Sequence, residues 1–250
     1  MIESISPPVE MVKKQIWGFW ATVGLGLVVG VIFIIVQTLA VIPFAVTKFI
    51  NNTDLSLEEL TNQLMSDGNL LSTATVASAI ICSGLVLIMV KVRRGATIPE
   101  YLALKPISLK AGLVMLAVTI GFIALSYGVN HIPSKSLDSD FIAEAYRNVT
   151  SPPFFWIAMV IFAPIFEELF IRGFLFIGFR QSRLGPAGAV ILTALIWASL
   201  HIQYGLFQIA AIFILGIILG IVRHKTGSIL NPLIIHTLNN LLAMVSVSLY

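Results

Sequence analysis

The chain has 250 residues, of which 58% are hydrophobic and 11% are charged, with a net charge of +3 and a mean hydropathy of +0.97. Soluble domains carry about 25% charged residues, so this chain has too little polar surface to cover a globule in water. The composition excludes an ordinary soluble protein and predicts an integral membrane protein. The single cysteine, Cys82, excludes an internal disulfide and a zinc site built from thiolates.

Seven apolar segments predict an all-α, polytopic transmembrane bundle of about seven helices. They cover residues 16–44, 70–90, 111–129, 153–179, 186–202, 205–222 and 228–250. The fifth and sixth segments are short for a straight crossing of about 20 residues, so one of them could be kinked or re-entrant. Residues 1–150 are predicted to form an N-terminal membrane region, and residues 151–250 a core of four membrane segments.

The distribution of basic residues predicts a cytoplasmic N-terminus and an external C-terminus. With that orientation, the outer side holds only Lys48, Lys135 and Arg147. The inner side holds Lys13, Lys14, Lys91, Arg93, Arg94, Lys105, Lys110, Arg180, Arg183, Arg223 and Lys225. Because these charges cluster in short loops, they indicate topology, and no interleaved basic and aromatic surface predicts nucleic-acid binding.

Local motifs predict shorter features of the bundle. Ser56 and Glu59 have the spacing of a capping box before a short amphipathic helix, and residues 140–149 could form another. The pairs Gly26/Gly30 and Gly216/Gly220 have the spacing of close helix–helix contacts. Asn231 and Pro232 are typical of an N-cap followed by proline in the first helical turn.

The fourth apolar segment contains three ionisable residues, Glu167, Glu168 and Arg172. Each charge at the centre of a bilayer helix costs about 2.5–3.5 kcal/mol, so three within six residues need an explanation. Glu168 and Arg172 are four residues apart and can form an ion pair, whereas Glu167 points about 100° away from Glu168. Pro164 removes one helical hydrogen bond just upstream and predicts a kink beside Glu167.

The fifth segment ends with Trp197 and His201, and the seventh contains His236 and Asn240 on one helical face. At about 1.5 Å per residue, Glu167, His201, His236 and Asn240 fall at intermediate depths and could converge on one site. The alternative is structural: an ion pair, a protonated carboxylic acid and histidines that hydrogen-bond between helices. Trp197 and Tyr204 could be interface anchors or walls of the site, and His131 and His224 are interpreted as solvated loop residues.

Three ordered motifs carry a resemblance to a known family. Glu-Glu-x-x-x-Arg at 167–172, aromatic-x-x-x-His at 197–201 and His-x-x-x-Asn at 236–240 follow one another on successive segments. This set resembles the CPBP family of CAAX proteases and bacteriocin-processing enzymes, also called the Abi family, over about residues 150–245. Trp197 stands where that family commonly has phenylalanine.

The resemblance implies hydrolysis of a peptide bond within the membrane. It implies that Glu167 activates water, that His201 helps to hold the water, and that His236 and Asn240 stabilise the oxyanion. Glu168 and Arg172 would order the site. Glu167, His201 and His236 could also ligate zinc with water in the fourth place, or the enzyme could be metal-free. The HExxH motif of ordinary zinc proteases does not occur.

The expected function is therefore that of an intramembrane endopeptidase, either a metalloprotease or a glutamate-type enzyme, in a bacterial cell membrane. Its expected partners are the lipid bilayer and a membrane-associated, lipidated CAAX-like or bacteriocin-type peptide. One alternative is a non-catalytic immunity or scaffold protein that uses the same buried residues structurally. Another is a small proton-relaying transporter, but such proteins typically show repeat symmetry, which this sequence lacks.

Overall fold

The computed structural model describes residues 16–93, 95–106 and 140–249, together with residues 117, 120 and 121. Across these residues the chain is helical and contains no strand, which confirms the predicted all-α fold. The helices are α1 Phe19–Asn51, α2 Leu57–Met65, α3 Gly68–Val92, α4 Ile98–Leu102, α5 Asp140–Arg147, α6 Pro152–Arg180, α7 Gly185–Ser199, α8 Leu206–Thr226 and α9 Leu230–Ser248.

Five of these helices, α1, α3, α6, α8 and α9, are long and apolar enough to cross a membrane. Helix α7 is also apolar but has only 15 residues, so it is the short segment that the sequence indicated, whereas α8 is a continuous helix of 21 residues. The third predicted segment, 111–129, falls outside the described residues except at 117, 120 and 121. The helices support an integral membrane protein.

Helix α1 extends further than the sequence indicated, since it ends at Asn51 rather than at residue 44. Its 33 residues span roughly 50 Å, which exceeds a hydrocarbon core of about 30 Å. Near its end, Lys48 forms an ion pair with Asp67 at 2.9 Å. The next helix, α2, begins with the predicted capping box: Ser56 accepts from the Glu59 N–H, and the Glu59 carboxylate accepts from the Ser56 N–H.

The loops gather at two ends of the bundle, as alternating crossings require. Hydrogen bonds join Trp17 to Tyr101 and Ile229 to Ala103 at one end, and Asn148 to Ser66 at the other. The first group lies on the basic, inner side of the predicted topology, and the second group lies on the outer side, which has few basic residues. The structure thus agrees with the predicted grouping of the loops into two sides. The direction of the bundle in the membrane stays a prediction.

Helices α7 and α8 pack closely through small residues. A Cβ atom added at Gly216 would lie 3.0 Å from the Ala194 Cβ, and one at Gly220 would lie 3.1 Å from a Val190 methyl group. This confirms the close contact predicted from that glycine pair. In the other pair, a Cβ at Gly30 would meet nothing within 4 Å, so the second glycine there mediates no close contact with the described residues.

Helix α6 occupies the centre of the bundle and packs against α1, α3, α7 and α9. The largest hydrophobic core joins both halves of the chain, since it contains Val29 and Val86 together with Phe174 and Leu219. The division at residue 150 stays a prediction. Many large apolar side chains face outward, which is the surface that lipid solvates in a membrane protein.

Candidate active site

Helix α6 is not uniform where it carries the glutamates. Glu167 ends a short α-helical turn, Ala163–Glu167, which lies between two π-helical segments, Ala158–Phe162 and Glu168–Leu175. Instead of a simple proline kink, the helix widens before Pro164, where the Ala163 N–H donates to the Ala158 carbonyl. Such π segments are rare and occur frequently at functional sites. Each π segment changes the direction around the helix axis in which the following side chains point. A projection that assumes a regular α-helix cannot predict that change.

Glu168 and Arg172 form the ion pair that their spacing predicts. Arg172 Nη1 lies 3.0 Å from Glu168 Oε1, and both side chains are almost fully buried. The guanidinium also donates from Nη2 to the Gly216 carbonyl at 3.3 Å and lies over the Trp197 ring at 4.5 Å. Arg172 therefore fixes the Glu168 carboxylate against two neighbouring helices, α7 and α8.

His236 lies between the two glutamates. Its Nδ1 is 3.0 Å from Glu168 Oε1, and its Nε2 is 3.8 Å from Glu167 Oε2. Because a carboxylate that is paired with Arg172 accepts hydrogen bonds, Nδ1 is assigned as the donor, and Nε2 faces Glu167. Asn231 is not the N-cap predicted for this helix: α9 begins at Leu230, so His236 lies less than two turns inside it.

Trp197 is part of the cluster rather than an interface anchor. Only 2% of its surface is exposed, and its indole Nε1–H donates a hydrogen bond to Glu167 Oε2. Its ring meets the His236 ring edge-on, with the centroids 5.0 Å apart. The sequence left the role of Trp197 undecided, although a buried indole N–H usually finds a hydrogen-bond acceptor.

His201 lies beside the cluster, in the turn that follows α7 rather than inside the helix. Its Nδ1 is 2.8 Å from the Trp197 carbonyl, which can only accept, so Nδ1 donates and Nε2 remains an acceptor. In the part of the chain that the structure describes, no hydrogen bond joins His201 to Glu167. Its ring stacks on Tyr204, where burial raises the pKa of the hydroxyl and the charge of Glu167 raises it further.

Asn240 lies on the same helix as His236 but binds elsewhere. Its Nδ2 donates to the Met159 carbonyl at 3.0 Å, and its Oδ1 faces the Asn239 amide at 3.5 Å. Asn240 thereby connects α9 to the first π segment of α6. Within the described residues, the structure gives Asn240 no hydrogen bond to Glu167 or His236. Of the residues predicted to converge, His236 therefore lies next to Glu167, whereas Asn240 lies at the edge of the cluster.

The residue range that contains all of these side chains matches a known family. Residues 149–242 match the family model described as "Type II CAAX prenyl endopeptidase Rce1-like". This part of the chain is similar to the Rce1-like CAAX endopeptidases. The match confirms the resemblance that the ordered motifs indicated, and it supports an intramembrane protease of CAAX type in general. No curated protein and no solved structure matches the chain.

The matched region, residues 149–242, does not assemble the zinc ligands that the sequence suggested. Among the described residues, no three histidine, cysteine, aspartate or glutamate side chains are grouped so that they could hold a metal ion. His236 turns one nitrogen to Glu168, and the hydrogen bond of His201 goes to a backbone carbonyl. The set of Glu167, His201 and His236 therefore does not fit zinc in this arrangement, and zinc stays a prediction of the sequence.

Arg223 is a residue of the matched region that sequence reasoning missed. The sequence counted it only among the basic residues of the inner side, but it is 1% exposed, and its Nε donates to the Arg172 carbonyl at 3.0 Å. Its guanidinium also lies over the Phe176 ring at 5.5 Å. Its position in the last turn of an apolar helix was the signal in the sequence that Arg223 could be buried. The identity of its acceptor depends on how α8 packs against α6.

Proposed function

We propose that the chain is an intramembrane endopeptidase that uses Glu167 to activate water. The difference between two adjacent carboxylates carries this proposal. Glu168 is 1% exposed and held by Arg172 and His236, whereas the Glu167 side chain is 20% exposed. Two acids in such different environments suit different roles, and the accessible one is the natural base.

In the proposed reaction, water attacks the carbonyl carbon of the scissile peptide bond while Glu167 takes one of its protons. This step gives a tetrahedral oxyanion and a protonated Glu167. The carbon–nitrogen bond then breaks as Glu167 returns the proton to the leaving amine. The products are a carboxylic acid and an amine, and the enzyme is restored without a covalent intermediate. A well-placed general base of this kind contributes about 10²- to 10⁴-fold to a rate.

His236 is the proposed electrophilic partner of Glu167. With Nδ1–H held by Glu168, the imidazole can donate from Nε2 to an oxyanion only when it carries both protons. In that form the charges of the two glutamates, Arg172 and His236 sum to zero, so each buried charge has a partner of opposite sign within the cluster. Glu168 and Arg172 therefore order His236, as an aspartate orders the imidazole of a serine protease triad.

Asn240 and His201 are assigned supporting roles at the edges of the cluster. Asn240 uses one amide hydrogen on the Met159 carbonyl and has a second that a substrate oxygen could accept. His201 keeps an acceptor nitrogen, Nε2, that could hold a water molecule. These roles follow from the remaining hydrogen-bonding capacity of each side chain after its observed contact is counted.

The proposed substrate is a membrane-associated peptide, either lipidated and CAAX-like or of the bacteriocin type. Support comes from the place of the cluster among apolar, outward-exposed helices and from the description of the matched family. We also propose that the bundle lies in a bacterial cell membrane with its basic end in the cytoplasm. The segregation of the basic loops to one end supports that orientation.

The substitution Glu167→Gln tests the proposal, because it keeps the size and hydrogen bonding of the side chain but removes the base. We expect Glu167→Gln to fold normally and to lose at least about 100-fold in kcat on a fluorogenic farnesylated CAAX peptide in detergent micelles. A non-lipidated hydrophobic peptide, run in parallel, distinguishes the two substrate classes.

Glu58→Gln is the matched control, because Glu58 is an exposed glutamate on α2, and the same change there should leave kcat unaltered. Cleavage by Glu167→Gln at the rate of the unaltered protein would remove Glu167 from the mechanism. In that case the buried residues would serve a structural role, as in a non-catalytic scaffold.

A further inference from the structure

Trp197 contacts four of the ionisable side chains that form the cluster. Its indole N–H donates to Glu167, and the Arg172 guanidinium lies 4.5 Å above its ring. The rings of His236 and His201 meet it edge-on, at centroid distances of 5.0 and 5.4 Å. No other aromatic side chain of the described residues has this set of contacts, so Trp197 is the side chain around which the cluster is arranged.

The hydrogen bond from Trp197 matters because of what else faces Glu167. His236 Nε2 is 3.8 Å from the Glu167 carboxylate, which is beyond hydrogen-bond distance. Within the described chain, the indole N–H is the side-chain donor that the structure places on Glu167. An indole has a donor and no acceptor, and this one is held in a fixed plane by Arg172 and the two histidines.

We propose that Trp197 is a positioning residue whose indole N–H fixes the Glu167 carboxylate so that it faces His236 Nε2. This inference rests on the proposed function, in which Glu167 is the base. Without the donor, a glutamate side chain that is 20% exposed has several rotamers open to it, and only some of them point the carboxylate at the bound water. Trp197 thus acts on the rate of the chemical step rather than on substrate binding.

The substitution Trp197→Phe isolates the donor from the ring. Phenylalanine keeps an aromatic face for Arg172 and the histidines, and it is the residue that the CPBP family commonly has at this position of the motif. Replacing the indole N–H by sulfur, with benzothienylalanine at position 197, removes the donor while keeping the bicyclic shape. A loss shared by both replacements is therefore assigned to the N–H and not to packing.

The chain offers a matched control in Trp156. Its indole N–H donates to the Tyr146 hydroxyl at 3.4 Å, in a separate apolar cluster that includes Phe155 and Met244. Trp156→Phe makes the same chemical change, the loss of one indole hydrogen bond, away from the glutamates. We expect it to leave both kcat and KM for the farnesylated CAAX peptide unaltered.

For Trp197→Phe and for the benzothienylalanine protein, we expect kcat to fall about 10- to 100-fold while KM stays within about twofold. That range is the effect of losing one hydrogen bond to a charged group when the bond serves the transition state. A kcat within about threefold of the unaltered protein, or a rise in KM alone, would overturn the positioning role. Equal elution profiles in detergent confirm that each variant is folded.

A second measurement does not depend on activity. The indole ¹⁵N–¹H resonance of Trp197 is identified by its disappearance in Trp197→Phe. We expect Glu167→Ala to move this resonance by more than its linewidth and to leave that of Trp156 in place. An unmoved Trp197 resonance would overturn the inference. If the unaltered protein cleaves no peptide, the proposed function fails, and the resonance alone then decides whether Trp197 holds Glu167.

Discussion

The buried ion pair between Glu168 and Arg172 gives the sharpest stability prediction. Arg172→Met keeps much of the side-chain volume but leaves the Glu168 carboxylate buried, with His236 as its remaining partner. Removing one member of a buried pair costs about 3–5 kcal/mol, because the other charge stays desolvated. The same change also removes the hydrogen bond to the Gly216 carbonyl and the contact with the Trp197 ring.

A compensated double variant separates this charge effect from lost packing. In Glu168→Gln combined with Arg172→Met, the buried charge disappears, and the glutamine oxygen can still accept from His236 Nδ1. We expect the double variant to be more stable than Arg172→Met by about 2 kcal/mol, since replacing both partners avoids the unpaired charge. Both variants should lose peptide cleavage, because Arg172→Met removes the cation that fixes the Glu168 carboxylate, and the double variant also removes the carboxylate charge that holds His236.

A second ion pair in the same chain serves as the control. Lys48 and Asp67 lie 2.9 Å apart, almost the same distance as the 3.0 Å of the Glu168–Arg172 pair, but their side chains are 25% and 11% exposed. Solvent screens such a pair, so Lys48→Met should cost less than about 1 kcal/mol. The comparison of Lys48→Met with Arg172→Met therefore varies burial while keeping the ion-pair distance nearly constant.

The free energies of unfolding are measured by reversible titration with SDS in mixed micelles, with two-state analysis of each variant. The reasoning is refuted if Arg172→Met costs no more than Lys48→Met. It is equally refuted if the double variant is no more stable than Arg172→Met, because the penalty would then come from packing and not from an unpaired charge. Either result would also weaken the assignment of Glu168 as the group that orders His236.

Two further predictions concern the metal and the orientation. Because no three histidine, cysteine, aspartate or glutamate side chains of the described residues are grouped so that they could hold a metal ion, we expect elemental analysis of the active, purified protein to give less than one equivalent of zinc, and cleavage to survive a strong chelator. One equivalent of zinc, lost together with activity, would show that the cluster rearranges around a metal. For the orientation, alkaline phosphatase fused after residue 250 should be active in a bacterial host, since that enzyme folds only outside the cytoplasm. An inactive fusion at residue 250, together with an active fusion at the N-terminus, would show that the topology is the opposite of the predicted one.

Local sequence determined a large part of the fold. The apolar segments predicted the long helices, because a stretch of about 20 apolar residues has few stable places outside a membrane. The spacing of Glu168 and Arg172 predicted their ion pair, and Ser56 with Glu59 predicted the capping box of α2, since both depend on residues within one helical turn. The ordered motifs predicted the family that the comparison then matched.

Only the tertiary structure decided how the helices meet. The contacts of His236 with both glutamates, of Trp197 with Glu167, and of Arg223 with the Arg172 carbonyl each join residues at least 30 positions apart. Such contacts depend on the depth and rotation of separate helices, and the π segments of α6 change that rotation partway along one of them. The sequence determined which polar residues enter the membrane, while helix packing determined which of them touch, because side-chain periodicity describes a single helix and not the register between two.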